Sequence, residues 1–128
     1  RTVYGVTKAY DTYVGTKEFQ PSDEIFNALR VIGEEYGATT GRPRQCNWLD
    51  ISLLKKAINI NGANTVIINK VDILRIMGKF AVRTESQPNA PVLEFSDEEA
   101  WKEYIQNELS TLSSNPINII FSESPKEV

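Results

Sequence analysis

Three short stretches carry side chains whose types and spacing can do chemistry. The first, Gly37 to Gln45 (GATTGRPRQ), sets Thr39 and Thr40 ahead of Arg42 and Arg44, with Pro43 between the arginines. Proline fixes its own φ and biases the residue before it toward extended backbone. Side chains two apart in an extended segment point the same way, so both guanidiniums could face one anion. With two hydroxyl donors, and with Gly37 and Gly41 permitting close approach of backbone, such a segment suits a small carboxylate or phosphate. The second stretch is Asn69 to Asp72 (NKVD), directly after the apolar run TVII. One carboxylate there can accept from both the ring N1–H and the exocyclic amino group of guanine, a donor pair adenine lacks. Charge-assisted bonds of this kind are worth about 1.5–3 kcal/mol each, enough for Asp72 to select a base. Lys70 can lay its aliphatic stem along a purine face, and Asn69 can brace the loop or touch N7. The third stretch, Phe121 to Pro125 (FSESP), can aim a backbone N–H from Ser122 to Ser124 at the guanine O6. Taken singly, each stretch also reads as a solvated turn or an exposed basic loop; the buried strand before NKVD is what raises it above one.

Missing chemistry narrows the field. The sequence has no G-x-x-x-x-G-K-[ST] loop and no histidine, hence no imidazole for acid–base work near neutral pH. Cys46 is a lone cysteine without a histidine or CxxC companion, and it reads as a small side chain packed under the loop. Asp50 reads as a helix cap, Asp11 and Glu18 as solvated loop charges, Trp48 as a packing anchor at a helix start, and Trp101 as core. The formal charge of the 128 residues is only -3, with no basic stripe, which argues against nucleic acid as a partner. No apolar run is long enough for a membrane span, and a cytoplasmic location is expected.

The elements that must position these side chains follow from periodicity. Residues 2 to 10 predict a strand running into a loop. Ser22 is a candidate N-cap, with Asp23 and Glu24 in the first turn of a helix whose stripe is Ile25, Leu29 and Ile32 and whose stop is Gly37. Asp50 caps a second helix along Ile51, Leu54, Ala57 and Ile58, ending at Gly62. TVIIN is a strand buried on both faces, followed by a loop. KFAVRT is another strand, ESQPNAP a break, and Ser96 with Glu99 a capping box for a long helix through Trp101, Ile105 and Leu109. INIIF closes as a strand. Strands alternating with helices predict an α/β fold, a mostly parallel sheet flanked by helices. In such sheets ligands gather where strand C-terminal ends release their loops, here after Tyr10, Asn69 and Phe121.

In the same order along the chain, KAYDTYVG, EYGATTGRPRQCNWLD, INKVDIL and INIIFSESP resemble the C-terminal part of adenylosuccinate synthetases. The resemblance implies a fold related to P-loop GTPases, and an enzyme that joins IMP and L-aspartate with GTP and Mg2+, as a homodimer. It places Thr39, Thr40, Arg42 and Arg44 on the aspartate-binding loop, with Arg42 also facing the nucleotide monophosphate and Arg44 also near GTP. Val14 and Gly15 fall beside IMP. Asn69, Lys70 and Asp72 fall on the guanine motif, and Ser122, Ser124 and Pro125 on the second guanine loop. Three positions and one segment depart from the family pattern: Tyr13 stands for Arg, Asn69 for Thr and Ser124 for Gly, and TKEFQP for a glycine-proline run. The phosphate loop, the catalytic Asp that also binds Mg2+ and the general-acid His of the family's N-terminal half have no counterpart in residues 1–128. The segment alone is therefore expected to be inactive, with no catalytic residue or metal ligand of its own. Two alternatives are a phage-type relative making 2-amino-deoxyadenylosuccinate from dGMP, and a non-catalytic guanine-nucleotide-binding module.

Overall fold

The computed structural model describes residues 2–38, 40–113 and 115–124; Thr39 and Pro125 lie outside them. The chain runs β1 (Tyr4–Lys8), β2 (Tyr10–Tyr13), α1 (Ile25–Ile32), β3 (Gln45–Asp50), α2 (Ile51–Asn61), β4 (Thr65–Asn69), α3 (Val71–Met77), β5 (Phe80–Arg83), β6 (Val92–Phe95), α4 (Glu98–Ser110) and β7 (Asn118–Phe121). β1, β4 and β7 form a parallel sheet with β4 in the middle. Lys8 pairs with Asn69, and Ile68 with Phe121, so the C-terminal ends of all three strands lie side by side. A second sheet has the order β2-β3-β5-β6, parallel between β3 and β5 and antiparallel at its two outer pairs. The chain crosses from one sheet to the other at Ala9, whose N–H still donates to the Asn69 carbonyl at 2.8 Å.

β4 forms where expected, because TVIIN is β-branched nearly throughout and pairs on both edges. Asp50 caps α2 by accepting from the Leu53 N–H at 3.1 Å, and Gly62 ends that helix at φ 65°. Helical stripes fill the interior with Leu29, Leu74, Trp101, Ile105 and Leu109, all at 0% exposure. Trp48 is buried and packs on Phe26 with ring centroids 5.1 Å apart. It sits on β3 rather than at a helix start.

Several boundaries differ from the sequence reading, each for a physical reason. Residues 2 to 10 are not one strand leading to a loop: after Ala9 the chain resumes as β2. QCNWLD is a strand although its polar residues hide any alternation, because Asn47 and Asp50 are buried and satisfied from outside the ladder. The Asn47 amide donates to the carbonyls of Phe19 and Pro88 at 2.9 and 3.1 Å. VLEF, placed in no element by its pattern, is β6, an edge strand paired to β5 alone. α1 starts without a Ser22 cap, the Asp23 carboxylate accepting from the Ile25 N–H at 3.0 Å instead, and it ends at Gly33, not Gly37. Gly33 is buried, and a side chain there would run into the Tyr10 hydroxyl. The cap of α4 is Asp97, one residue after Ser96, accepting from the Ala100 N–H at 2.8 Å. Instead of a loop after β4, a single left-handed residue, Lys70 at φ 62°, turns the chain directly into α3. Among the described residues no helix is long and apolar enough to cross a membrane.

Candidate functional site

The site is built at the shared C-terminal ends of β1, β4 and β7. β7 releases Ser122, whose N–H donates to the Ile68 carbonyl at 2.8 Å and whose carbonyl accepts from the Val71 N–H at 3.1 Å. This stitches the chain leaving β7 to the turn that opens α3. Two residues later the Asp72 carboxylate accepts from both the backbone N–H and the hydroxyl of Ser124, at 2.7 and 2.9 Å through Oδ1. Two stretches 52 residues apart, each singled out in the sequence for guanine contacts, thus meet on one carboxylate. Beside them the Asn69 side-chain oxygen is buried without a hydrogen-bond partner. Such an unmet acceptor costs about 1–3 kcal/mol in a folded chain.

Facing this pair is a residue the sequence reading passed over. Glu35 follows α1 and is fully buried. Its Oε1 accepts from the Lys8 ammonium at 2.9 Å and the Arg44 guanidinium at 3.0 Å. Its Oε2 accepts from the Lys70 ammonium at 2.8 Å and from the Tyr10 hydroxyl. Burial alone would raise the Glu35 pKa, but the hydrogen bonds from Lys70, Tyr10 and Lys8 outweigh it and hold the group down at about 2. Burial, reinforced by the neighbouring carboxylate, pushes the Tyr10 phenol far above its usual range. Three cations around one anion leave a net positive charge at the tips of the parallel strands, where an anionic ligand is favoured. No periodicity marks Glu35; the signal that could have found it is the need of Lys8, at the buried end of a strand, for a counter-charge.

The arginine loop is a tight hairpin rather than an extended arm. Gly37 N–H donates to the Arg42 carbonyl at 2.8 Å, Gly41 N–H to the Gly37 carbonyl at 2.9 Å, and Arg44 N–H to the Glu35 carbonyl at 3.0 Å. Gly41 has φ 66°, a left-handed turn that favours glycine. Arg44 turns inward because the buried Glu35 carboxylate draws its guanidinium, while Arg42 and Thr40 are exposed. The two guanidiniums therefore do not share one direction as the extended reading expected: one braces the loop and the other is presented to solvent. Cys46 is buried beneath, and burial lifts its thiol to about 11.

Val14 and Gly15 lie exposed just past β2. They adjoin a cavity of about 380 Å³ lined by Asp11, Tyr13, Phe19, Asp50, Arg83 and Ser86, among others. Asp11 is not a solvated loop charge. It accepts from the buried Arg83 guanidinium at 2.9 Å and from the Asp50 N–H at 2.9 Å, and burial still raises its pKa against both. Arg83 donates its remaining bonds to the carbonyls of Trp48, Ser86 and Gln87, so it fastens β3, β5 and the following loop together. Among the described residues no three His, Cys, Asp or Glu side chains gather in one place.

Residues 1–115 match the family model described as adenylosuccinate synthetase. Three curated relatives of this chain are all named adenylosuccinate synthetase. That of Hydrogenobaculum sp. (strain Y04AAS1) is 50% identical over 61% of this chain and 19% of its own length. That of Stenotrophomonas maltophilia (strain R551-3) is 43% identical over 79% of this chain and 24% of its own. That of Caldanaerobacter subterraneus subsp. tengcongensis is 35% identical over 91% of this chain and 31% of its own. The chain thus spans 19 to 31% of the length of these relatives. A solved structure described as fully ligated adenylosuccinate synthetase from Plasmodium falciparum superposes with a TM-score of 0.71 at 24% identity, over 94% of this chain and 36% of that one. At that identity the likeness speaks for the fold.

Proposed function

The chain belongs to the adenylosuccinate synthetase family, and from that premise we propose that it is the guanine- and aspartate-binding segment of a ligase that joins IMP and L-aspartate at the expense of GTP. The observation that carries this reading is the meeting of Asp72 and Ser124 just past the ends of β4 and β7, with Asp72 two residues after Lys70. A carboxylate already held by a backbone N–H and a hydroxyl through one oxygen keeps its other oxygen for a base edge, and guanine alone among the purines of nucleoside triphosphates offers two adjacent donors to it. The unmet Asn69 oxygen, or its amide in the flipped assignment, supports a ligand that completes the site. Ser122, Ser124 and Pro125 are assigned to the second guanine loop.

In this reading Thr39, Thr40, Arg42 and Arg44 form the aspartate loop. Arg42 presents its guanidinium outward to the substrate carboxylates, and Arg44, anchored on Glu35, sets the position of the hairpin that carries it. Val14 and Gly15 border the acceptor nucleotide. Holding the aspartate amine against the purine converts a bimolecular encounter into a positioned one, which is the main contribution such a segment can make. Mg2+ and GTP supply the phosphoryl chemistry when bound. No step is assigned to this segment through Mg2+.

Base choice tests the reading. In the full-length protein, calorimetric titration is expected to give at least about tenfold tighter binding of GTP than of ATP, the effect of one charge-assisted bond. Asp72→Asn should abolish that preference. Equal affinity of the unaltered protein for the two nucleotides would undo the guanine assignment.

A further inference from the structure

Resting on that reading of the two loops, we infer that Glu35 is a positioning residue that couples them, transmitting the ordering of the guanine loop to the aspartate loop. Four elements converge on this one side chain: Lys8 ends β1, Tyr10 begins β2, Lys70 forms the turn into α3, and Arg44 closes the hairpin. The division between its oxygens matters. Lys70, from the guanine motif, is on Oε2, whereas Arg44, from the arginine hairpin, is on Oε1. A carboxylate is rigid and planar, so a displacement of one oxygen turns the other. Neither loop can shift its cation without moving the acceptor of its counterpart.

The backbone is arranged to keep Glu35 in that position. Glu34, directly before it, has φ 53°, a left-handed conformation that a residue with a Cβ adopts only when its surroundings impose it. Glu35 itself is pinned by its N–H to the Arg30 carbonyl at 2.9 Å and by its carbonyl to the Arg44 N–H at 3.0 Å. Lys70 adds a second tie on the same side of the site, donating to the Gly33 carbonyl at 3.0 Å. When a base packs along the Lys70 stem and fixes its ammonium, the carboxylate is fixed with it, and the hairpin then loses less freedom on ordering. Two sites that share an ordering cost in this way bind cooperatively without any large movement.

Hydrogen exchange on the full-length protein tests the coupling. Saturating GTP is expected to slow exchange at amides of the guanine stretches, Asn69 to Asp72 and Phe121 to Ser124. In the unaltered protein it should also slow the hairpin, Gly37 to Arg44, by about fivefold or more, the low end of ordinary coupling. In Glu35→Gln the guanine stretches should still be protected, while the hairpin should exchange as it does without nucleotide. Glu35→Asp keeps the charge, and so guards against failure to fold. Its shorter arm does not reach cations on both sides, and it should show the same loss of transmission. Hairpin protection that survives in either folded variant would mean that GTP reaches the loop directly, and would overturn the inference, as would an unaltered protein in which GTP protects only the guanine stretches. Failure of GTP to protect the guanine stretches in the unaltered protein would instead overturn the functional reading on which the inference rests.

Discussion

Glu35→Ala is expected to destabilise the full-length protein by about 3–5 kcal/mol, the loss typical when one partner of a buried ion pair is removed. The carboxylate is fully buried, and deleting it leaves Lys8, Lys70 and Arg44 facing one another with only the Tyr10 hydroxyl between them. The cations retain side-chain exposures of 27, 21 and 30%, so part of their charge can be rehydrated and the lower end of the range applies. The pH dependence identifies the group. Glu35 is held at about 2 in the fold against 4.5 as the reference value, so its contribution is fully present above pH 4.5 and is lost as pH falls toward 2. Urea unfolding followed from pH 7 to pH 2 should show that acid loss in the unaltered protein, and a smaller one in the variant. A variant with unchanged midpoint and unchanged acid slope would show that the cluster contributes nothing to stability.

Arg42→Leu is expected to raise the aspartate KM by about two orders of magnitude while leaving GTP binding within about twofold. That factor corresponds to about 2.7 kcal/mol, within the range for charge-assisted bonds to a carboxylate. The two effects separate because Arg42 is exposed and lies on the hairpin, whereas Lys70 and Asp72 lie at the turn into α3 and in its first turn. A rise in KM with kcat little changed would mean that Arg42 binds aspartate equally in ground and transition states; a fall in kcat as well would mean that it also helps aim the amine. Steady-state kinetics at varied aspartate, with the other substrates saturating, decide the matter. Unchanged aspartate kinetics would remove Arg42 from the site.

What could be read in the sequence followed the strength of local signals. β4 was legible because a strand paired on both edges of a parallel sheet has a continuous β-branched run, and α2 because Asp50 and Gly62 bracket it. NKVD and FSESP stand out as polar stretches at strand ends, and their meeting through Asp72 and Ser124 follows from the rule that parallel strands release their loops at one end. β3 was not legible, since Asn47 looks like a loop residue until its distant partners are known and Asp50 reads only as the cap of α2. Asp11 was misread for the same reason, its partner Arg83 lying 72 residues away. Glu35 was invisible because nothing local distinguishes a buried carboxylate with three cations from a solvated one at a helix end.

The left-handed turn at Lys70 sets two requirements against each other at a single position. A glycine would sit there at ease, whereas a residue with a Cβ costs about 1 kcal/mol or more. Any replacement that relaxes this backbone also deletes the ammonium that reaches Gly33 and Glu35. Backbone ease and the ties to Glu35 and Gly33 thus pull in opposite directions here, and the strain of the turn is offset by the ion pair that only a lysine at this position supplies.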